Sequence, residues 1–236
     1  MSVAENLVRV RAAIDAACDR AGRDPSQVRL LPVSKTFGTD KIIEAYDAGM
    51  RIFGENKVQE AAAKAAELAH RPDLQWAMIG HLQRNKARDV VAFAAEFHAL
   101  DSLRLAETLQ SRLEQADRTL DVFIEVNSSG EPSKFGLPPD DVVDLAVALG
   151  GLDRLRPRGL MTIAANSADR GVVEACFVRM TELRRRLQDD DRVAGSYAEL
   201  SMGMSGDFEL AIAHGATTVR IGTAVFGARP PVHRTG

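Results

Sequence analysis

The sequence predicts a single-domain α/β protein, a (β/α)8 TIM barrel preceded by one extra helix. Three observations predict it: eight short apolar runs, helical periodicity between them, and no glycine-rich dinucleotide turn after the first run. A length of 236 residues suits one such domain, and 45% hydrophobic residues can fill its core.

Taken in order, Leu7, Val10, Ile14 and Ala17 recur at helical spacing on a charged segment and predict a first amphipathic helix ending near Gly22. Strands are expected at Val28 to Ser34, Arg51 to Phe53, Leu74 to Ile79, Glu96 to Leu100, Asp121 to Val126, Arg158 to Thr162, Glu199 to Met202 and Thr218 to Gly222. Helical stretches between them begin near Asp40, Asn56, Arg84, Ser102, Pro139, Arg170 and Ser205. An open doubly wound sheet is the competing architecture. It would bring a glycine-rich turn after the first strand, where this chain has Ser34-Lys35-Thr36-Phe37-Gly38. Residues 1–228 are read as the one barrel domain and residues 229–236, with Pro230-Pro231, as a flexible tail.

Composition narrows the function classes. Acidic and basic residues nearly balance, 33 against 30, so the overall field offers nothing to attract nucleic acid or an anionic membrane. The run Arg184-Arg185-Arg186 lies among Glu182 and Asp189 to Asp191 and reads as a solvated charged face. Cys18 and Cys176 lack the spacing of a zinc site and are expected to be reduced thiols. No leader-like segment or bilayer-length apolar stretch is present, so a cytoplasmic location and a monomer are expected.

Barrels place their sites where strands end at the C-terminal face. Lys35 closes the first apolar run, and an amine held in an apolar mouth has its charged form disfavoured, which frees it to attack an aldehyde. Asn56 ends the second strand, where capping the next helix and contacting a ligand are equally good readings. His81 follows the third, and without a nearby paired acid it reads as a structural or surface histidine. Ser201-Met202-Gly203-Met204-Ser205-Gly206 and Arg220-Ile221-Gly222-Thr223 end strands seven and eight, where barrels form phosphate cradles from unpaired N–H groups and a helix N-terminus. Ser205, Gly222 and Thr223 are the donors such a cradle would use. Strand alternation turns Val219 and Ile221 outward and Arg220 inward, where its acceptor is either an atom of a bound cofactor or an internal carboxylate such as Glu125.

Taken together, Val33-Ser34-Lys35, Phe53-Gly54-Glu55-Asn56 with Val58-Gln59-Glu60, Ile79-Gly80 with Leu82-Gln83 and Asn85-Lys86, Arg158-Gly159-Leu160-Met161, Ser201 to Ser205 and Val219 to Thr223 closely resemble the pyridoxal phosphate homeostasis protein family. The resemblance implies a barrel like the N-terminal domain of alanine racemase, of PLP fold type III. It implies pyridoxal 5'-phosphate (PLP), the vitamin B6 cofactor, held as a Schiff base on Lys35. Asn56, Ser201 and Met202 would also line the cofactor, its phosphate would lie against Ser205, Gly222 and Thr223, and Arg220 would face its pyridine nitrogen. Ala77, Lys57 and Arg84 depart from the family pattern, where a histidine, an aromatic and a serine are frequent.

The implied function is buffering PLP or delivering it to PLP-dependent apoenzymes, without robust catalysis. The alternative is a PLP-dependent amino-acid racemase, which needs an acid/base group on each face of its substrate. Tyr46 and Tyr197 are the only tyrosines, and they fall in a helix and before strand seven. A cofactor-free Schiff-base aldolase is a third reading, with a sugar phosphate in the cradle.

Overall fold

The computed structural model describes residues 2–228, and the expectation for residues 229–236 lies outside them. Helix α1 (Val3–Arg20) opens the chain. Its capping box satisfies two end donors, because Ser2 Oγ accepts from the Glu5 N–H while the Glu5 carboxylate accepts from the Ser2 N–H. The buried stripe Val3, Leu7, Val10, Ile14 and Ala17 lays α1 against the barrel wall.

Eight parallel strands follow: β1 (Arg29–Pro32), β2 (Ile52–Glu55), β3 (Gln75–Met78), β4 (Glu96–Leu100), β5 (Leu120–Glu125), β6 (Leu155–Met161), β7 (Glu199–Ser201) and β8 (Thr218–Ile221). Helices α2 (Thr39–Asp47), α3 (Val58–Glu67), α4 (Ala87–Phe93), α5 (Leu103–Gln115), α6 (Val142–Leu149), α7 (Arg170–Gln188) and α8 (Phe208–Ala213) alternate with them, and α9 (Thr223–Phe226) follows β8. Neighbouring strands pair in chain order from β2 to β8, and β8 pairs back onto β1 from Arg29↔Thr218 to Pro32↔Ile221. The seam between β1 and β2 is closed by the Val33↔Gly54 bridge and by Ser34 N–H donating to the Gly54 carbonyl at 3.0 Å. The expected barrel is thus the observed architecture. β6 begins earlier than expected, because Pro157 is carried through an irregularity opposite Val122 and Phe123 rather than ending the strand.

The main core lies between strands and helices, where Phe53, Phe97 and Phe177 are fully buried. Each such side chain contributes roughly 1.5–3 kcal/mol through its removal from water. Inside the barrel the filling is mixed. Leu31, Ile52 and Ala77 form a small apolar cluster, so Ala77 fills inner space. Beside it runs a polar chain. Arg29 makes a bidentate pair with Glu96 at 2.6 and 2.9 Å, and Glu96 accepts from His98 Nε2 at 2.7 Å. Burial alone would raise the Glu96 pKa, but hydrogen bonds from His98 and Arg29 hold it at about 2. Burial drives the His98 pKa down, so its ring is neutral at pH 7 and its Nδ1 can accept.

Candidate functional site

Lys35 leaves the end of β1 with the inward parity of Leu31 and Val33 and is half-buried at the lip of the barrel. The next residue, Thr36, has φ of 71°. That left-handed backbone costs a β-branched residue roughly 1–3 kcal/mol, so the surroundings must hold it there.

The strand paired with β1 brings the expected anion donors alongside. Val33 N–H donates to the Ile221 carbonyl at 3.0 Å, and Gly222 follows at once. A Cβ at Gly222 would lie 3.1 Å from the Val33 carbonyl oxygen, so a glycine lets the two strand ends approach closely. Val225, Phe226 and Gly227 close the turn of α9 onto the Gly222 and Thr223 carbonyls. Among the described residues, the N–H groups of Gly222, Thr223 and Ala224 have no protein acceptor.

The loop after β7 reaches the same end of the barrel. Gly203, at φ 92°, would place a Cβ 2.6 Å from Ala211 Cβ, so its glycine lets α8 pack against the turn. Arg220 N–H ties the loop to β8 through the Gly203 carbonyl at 2.9 Å. Asp207 Oδ1 accepts from the Met204 N–H at 2.5 Å, leaving Ser205 and Gly206 at the exposed tip. Ser205 thus stands on the loop after β7, and Gly222 and Thr223 open the turn after β8. Met202 is fully buried in the main core, and its N–H donates to the Thr218 carbonyl at 3.1 Å.

Ser201 and Arg220 meet inside the barrel. The Arg220 side chain, 4% exposed, donates to the Ser201 carbonyl at 2.6 Å, to Ser201 Oγ at 2.9 Å and to the Thr162 carbonyl at 2.7 Å. Ser201 Oγ in turn lies 3.0 Å from His98 Nδ1. Because Oγ accepts from Arg220 and His98 is neutral, the hydroxyl proton points to Nδ1. The sequence left the Arg220 acceptor open between a cofactor atom and Glu125; the protein acceptors are instead two carbonyls and a hydroxyl. Burial lowers the Arg220 pKa to about 10, which leaves it a cation at neutral pH.

Glu125 ends β5 with 5% exposure, and its Oε2 is buried without a hydrogen-bond partner. Burial first, then the charge of Asp101, raises its pKa to about 7 against the pull of Arg220. It is a carboxyl able to carry a proton inside the barrel near neutral pH.

Asn56 and His81 differ from expectation. The N-cap of α3 is Lys57, with no side-chain cap bond, so Asn56 is not the capping residue. It stands half-buried at the end of β2, and a Cβ at Gly80 would sit 2.5 Å from its carbonyl oxygen, so these two strand ends touch. His81 does have an acid: Asp101, at the end of β4, places Oδ2 3.1 Å from its Nδ1, and Phe135 stacks on the ring at 4.0 Å. That partner is distant in sequence, which is why local spacing missed it. Neither tyrosine stands at the mouth. Tyr46 bonds Asp73 on the outer surface, and Tyr197 is buried just before β7, away from that strand's C-terminal end.

Sequence reasoning overlooked a cluster behind Lys35. Lys64 Nζ donates to Glu55 Oε1, to Glu60 Oε1 and to the Ser34 carbonyl. The available signal was the Glu60–Lys64 spacing on α3 together with a charged residue ending an apolar strand. Cys18 and Cys176 are free thiols on separate helices. Among the described residues no helix is long and apolar enough to cross a membrane.

Residues 6–230 match the family model for the alanine racemase N-terminal domain. The pyridoxal phosphate homeostasis protein of Pseudomonas aeruginosa is 46% identical over 228 residues, covering 97% of this chain and 96% of that protein. PipY of Synechococcus elongatus PCC7942, solved with PLP bound, is 38% identical with a TM-score of 0.85, covering 96% of this chain and all of that one. The alanine racemase of Streptomyces coelicolor shares the fold alone, at 19% identity and a TM-score of 0.71, and this chain covers 59% of it. An eight-stranded barrel with these residues at its mouth, matched over nearly its whole length, belongs to the pyridoxal phosphate homeostasis protein family.

Proposed function

We propose that this chain binds pyridoxal phosphate as a Schiff base on Lys35 and buffers it, or delivers it to PLP-dependent apoenzymes, as a cytoplasmic monomer. The observation that supports this reading is the pairing of β1 with β8, the two strands that lead into Lys35 and into the open N–H groups of Gly222 and Thr223. An amine for the aldehyde and donors for the phosphate thus end adjacent strands.

The residues fit the group. Ser205, Gly222 and Thr223 would hold the phosphate, Asn56 and the Ser201-Met202 backbone would border the ring, and the partnerless Glu125 Oε2 is a buried polar atom that lacks a protein partner. When bound, the cofactor supplies a reactive aldehyde and an electron-withdrawing ring. Arg220, locked by Ser201 and Thr162, would keep a fixed cation near the ring nitrogen and disfavour its protonation. That weakens the electron sink on which amino-acid chemistry depends, and the tyrosines at positions 46 and 197 are not placed to serve as a second base. Holding and releasing the cofactor is therefore favoured over turning over a substrate.

Borohydride reduction of the PLP-loaded protein followed by peptide mass analysis tests the reading. The expected result is a single modified peptide containing Lys35, with loss of covalent label in Lys35→Ala but weak retention through the phosphate donors. Labelling of another lysine overturns the assignment, as does steady racemisation of a free amino acid at about 1 per second or faster.

A further inference from the structure

Lys35 lies between two residues whose backbones are tied to one cluster on the outer side of β2. Lys64, on α3, is 7% exposed and its ammonium donates to the Ser34 carbonyl at 3.0 Å, to Glu55 Oε1 at 2.7 Å and to Glu60 Oε1 at 2.7 Å. All three of its donors are engaged. The Ser34 hydroxyl donates to the same Glu55 oxygen at 2.6 Å, and Glu60 Oε1 accepts from the Thr36 N–H at 2.7 Å. Both residues flanking Lys35 are thereby bound, and Thr36 is held at its left-handed φ of 71°.

A buried ion pair is a weak source of stability, because desolvating both charges offsets their attraction. The neighbouring helix-facing position on β2, Phe53, shows that an apolar residue packs well on this wall. What charged groups provide that hydrocarbon does not is direction, since hydrogen bonds fix particular backbone atoms in place.

Given that Lys35 is the attachment point, as proposed above, we propose that Ser34, Glu55, Glu60 and Lys64 form a clamp that positions the backbone on both sides of Lys35 for attack on the aldehyde. The uncharged Lys35 amine uses its lone pair to make the new N–C bond. Its two hydrogens leave with the carbonyl oxygen as water, so the step needs no further reactant. The four residues are positioning residues and touch neither reacting atom.

The test follows covalent attachment after mixing cofactor-free protein with PLP, read as the borohydride-trapped Lys35 peptide across a range of pH. Glu60→Ala is expected to slow attachment about 10-fold or more, as displacement of a reacting group does. Glu60→Gln keeps an oxygen to accept the Thr36 N–H and is expected to recover most of that rate, with the pH midpoint of the rate unchanged in both variants. Noncovalent binding, measured in a Lys35→Ala background, is expected to be indifferent to Glu60→Ala. Lys64→Met alone strands the Glu55 carboxylate and can fail to fold, so the neutral pair Glu55→Gln with Lys64→Met provides a second variant, also expected to attach slowly. The clamp is overturned if Glu60→Ala attaches at the wild-type rate. It is also overturned if Glu60→Gln is as slow as Glu60→Ala with a displaced pH midpoint, which would mean that charge and not position acts. Parallel loss of noncovalent binding overturns it too. Absence of any Lys35 label in the wild type defeats the attachment reading itself, an outcome visible without any variant.

Discussion

Glu125 makes the stability of the cofactor-free protein depend on pH in a direction the structure dictates. Its carboxyl is 5% exposed with a partnerless buried oxygen, and burial raises its pKa from 4.5 to about 7. The folded state therefore holds this proton more tightly than the unfolded chain does. The resulting stabilisation is complete below pH 4.5 and fades as the pH climbs through 7. A span of about 2.5 pH units at about 1.4 kcal/mol each corresponds to about 3 kcal/mol, of which about 2 to 3 kcal/mol is lost between pH 5 and pH 8.5. Glu125→Gln keeps the shape and removes the titration. Urea denaturation of both proteins at the two pH values isolates the effect, because every other titrating group is common to them. The variant is expected to gain on the wild type by that amount at the higher pH. Two curves that stay parallel to within about 0.5 kcal/mol would refute the view of Glu125 as a buried carboxyl without a counter-charge in contact.

Three substitutions probe the rest of the framework. Gly159→Ala would put a Cβ 1.8 Å from the Glu199 carbonyl oxygen, so β6 and β7 must separate; a loss of about 3 kcal/mol or more, or failure to yield folded protein, is expected by circular dichroism. Gly80→Ala presses a methyl to 2.5 Å from the Asn56 carbonyl oxygen and is expected to lower stability by about 1–3 kcal/mol and weaken PLP retention on dialysis. Ser201→Ala leaves His98 Nδ1 without its donor and removes one Arg220 acceptor, for an expected cost of about 1–3 kcal/mol by chemical denaturation.

The barrel was legible in the sequence because its strands are short apolar runs with a regular spacing, and β4 was found with its observed bounds. That Lys35, Ser205, Gly222 and Thr223 follow strand ends was legible because the strands themselves were. What escaped depends on contacts between distant segments. The clamp joins Ser34, Glu55, Glu60 and Lys64 from the loop after β1, from β2 and from α3, and no local pattern reveals that their side chains converge. His98 is one polar residue within an apolar strand, and only the fold shows that it completes a chain from Arg29 to Arg220. Of the two readings that the sequence left open for Asn56, the structure removes the cap, because the helix begins one residue later than such a cap requires.

The ladder between the first and last strands also governs how the molecule can be made. Arg29 meets Thr218, 189 residues further along, so the opening strand emerges from the ribosome long before its principal neighbour exists. Until then its unpaired edge is available to other nascent chains. A chain interrupted before Thr218 has neither a closed ring nor the turn at Gly222 and Thr223, so, on the function proposed above, retention of PLP would report that synthesis has passed the last strand.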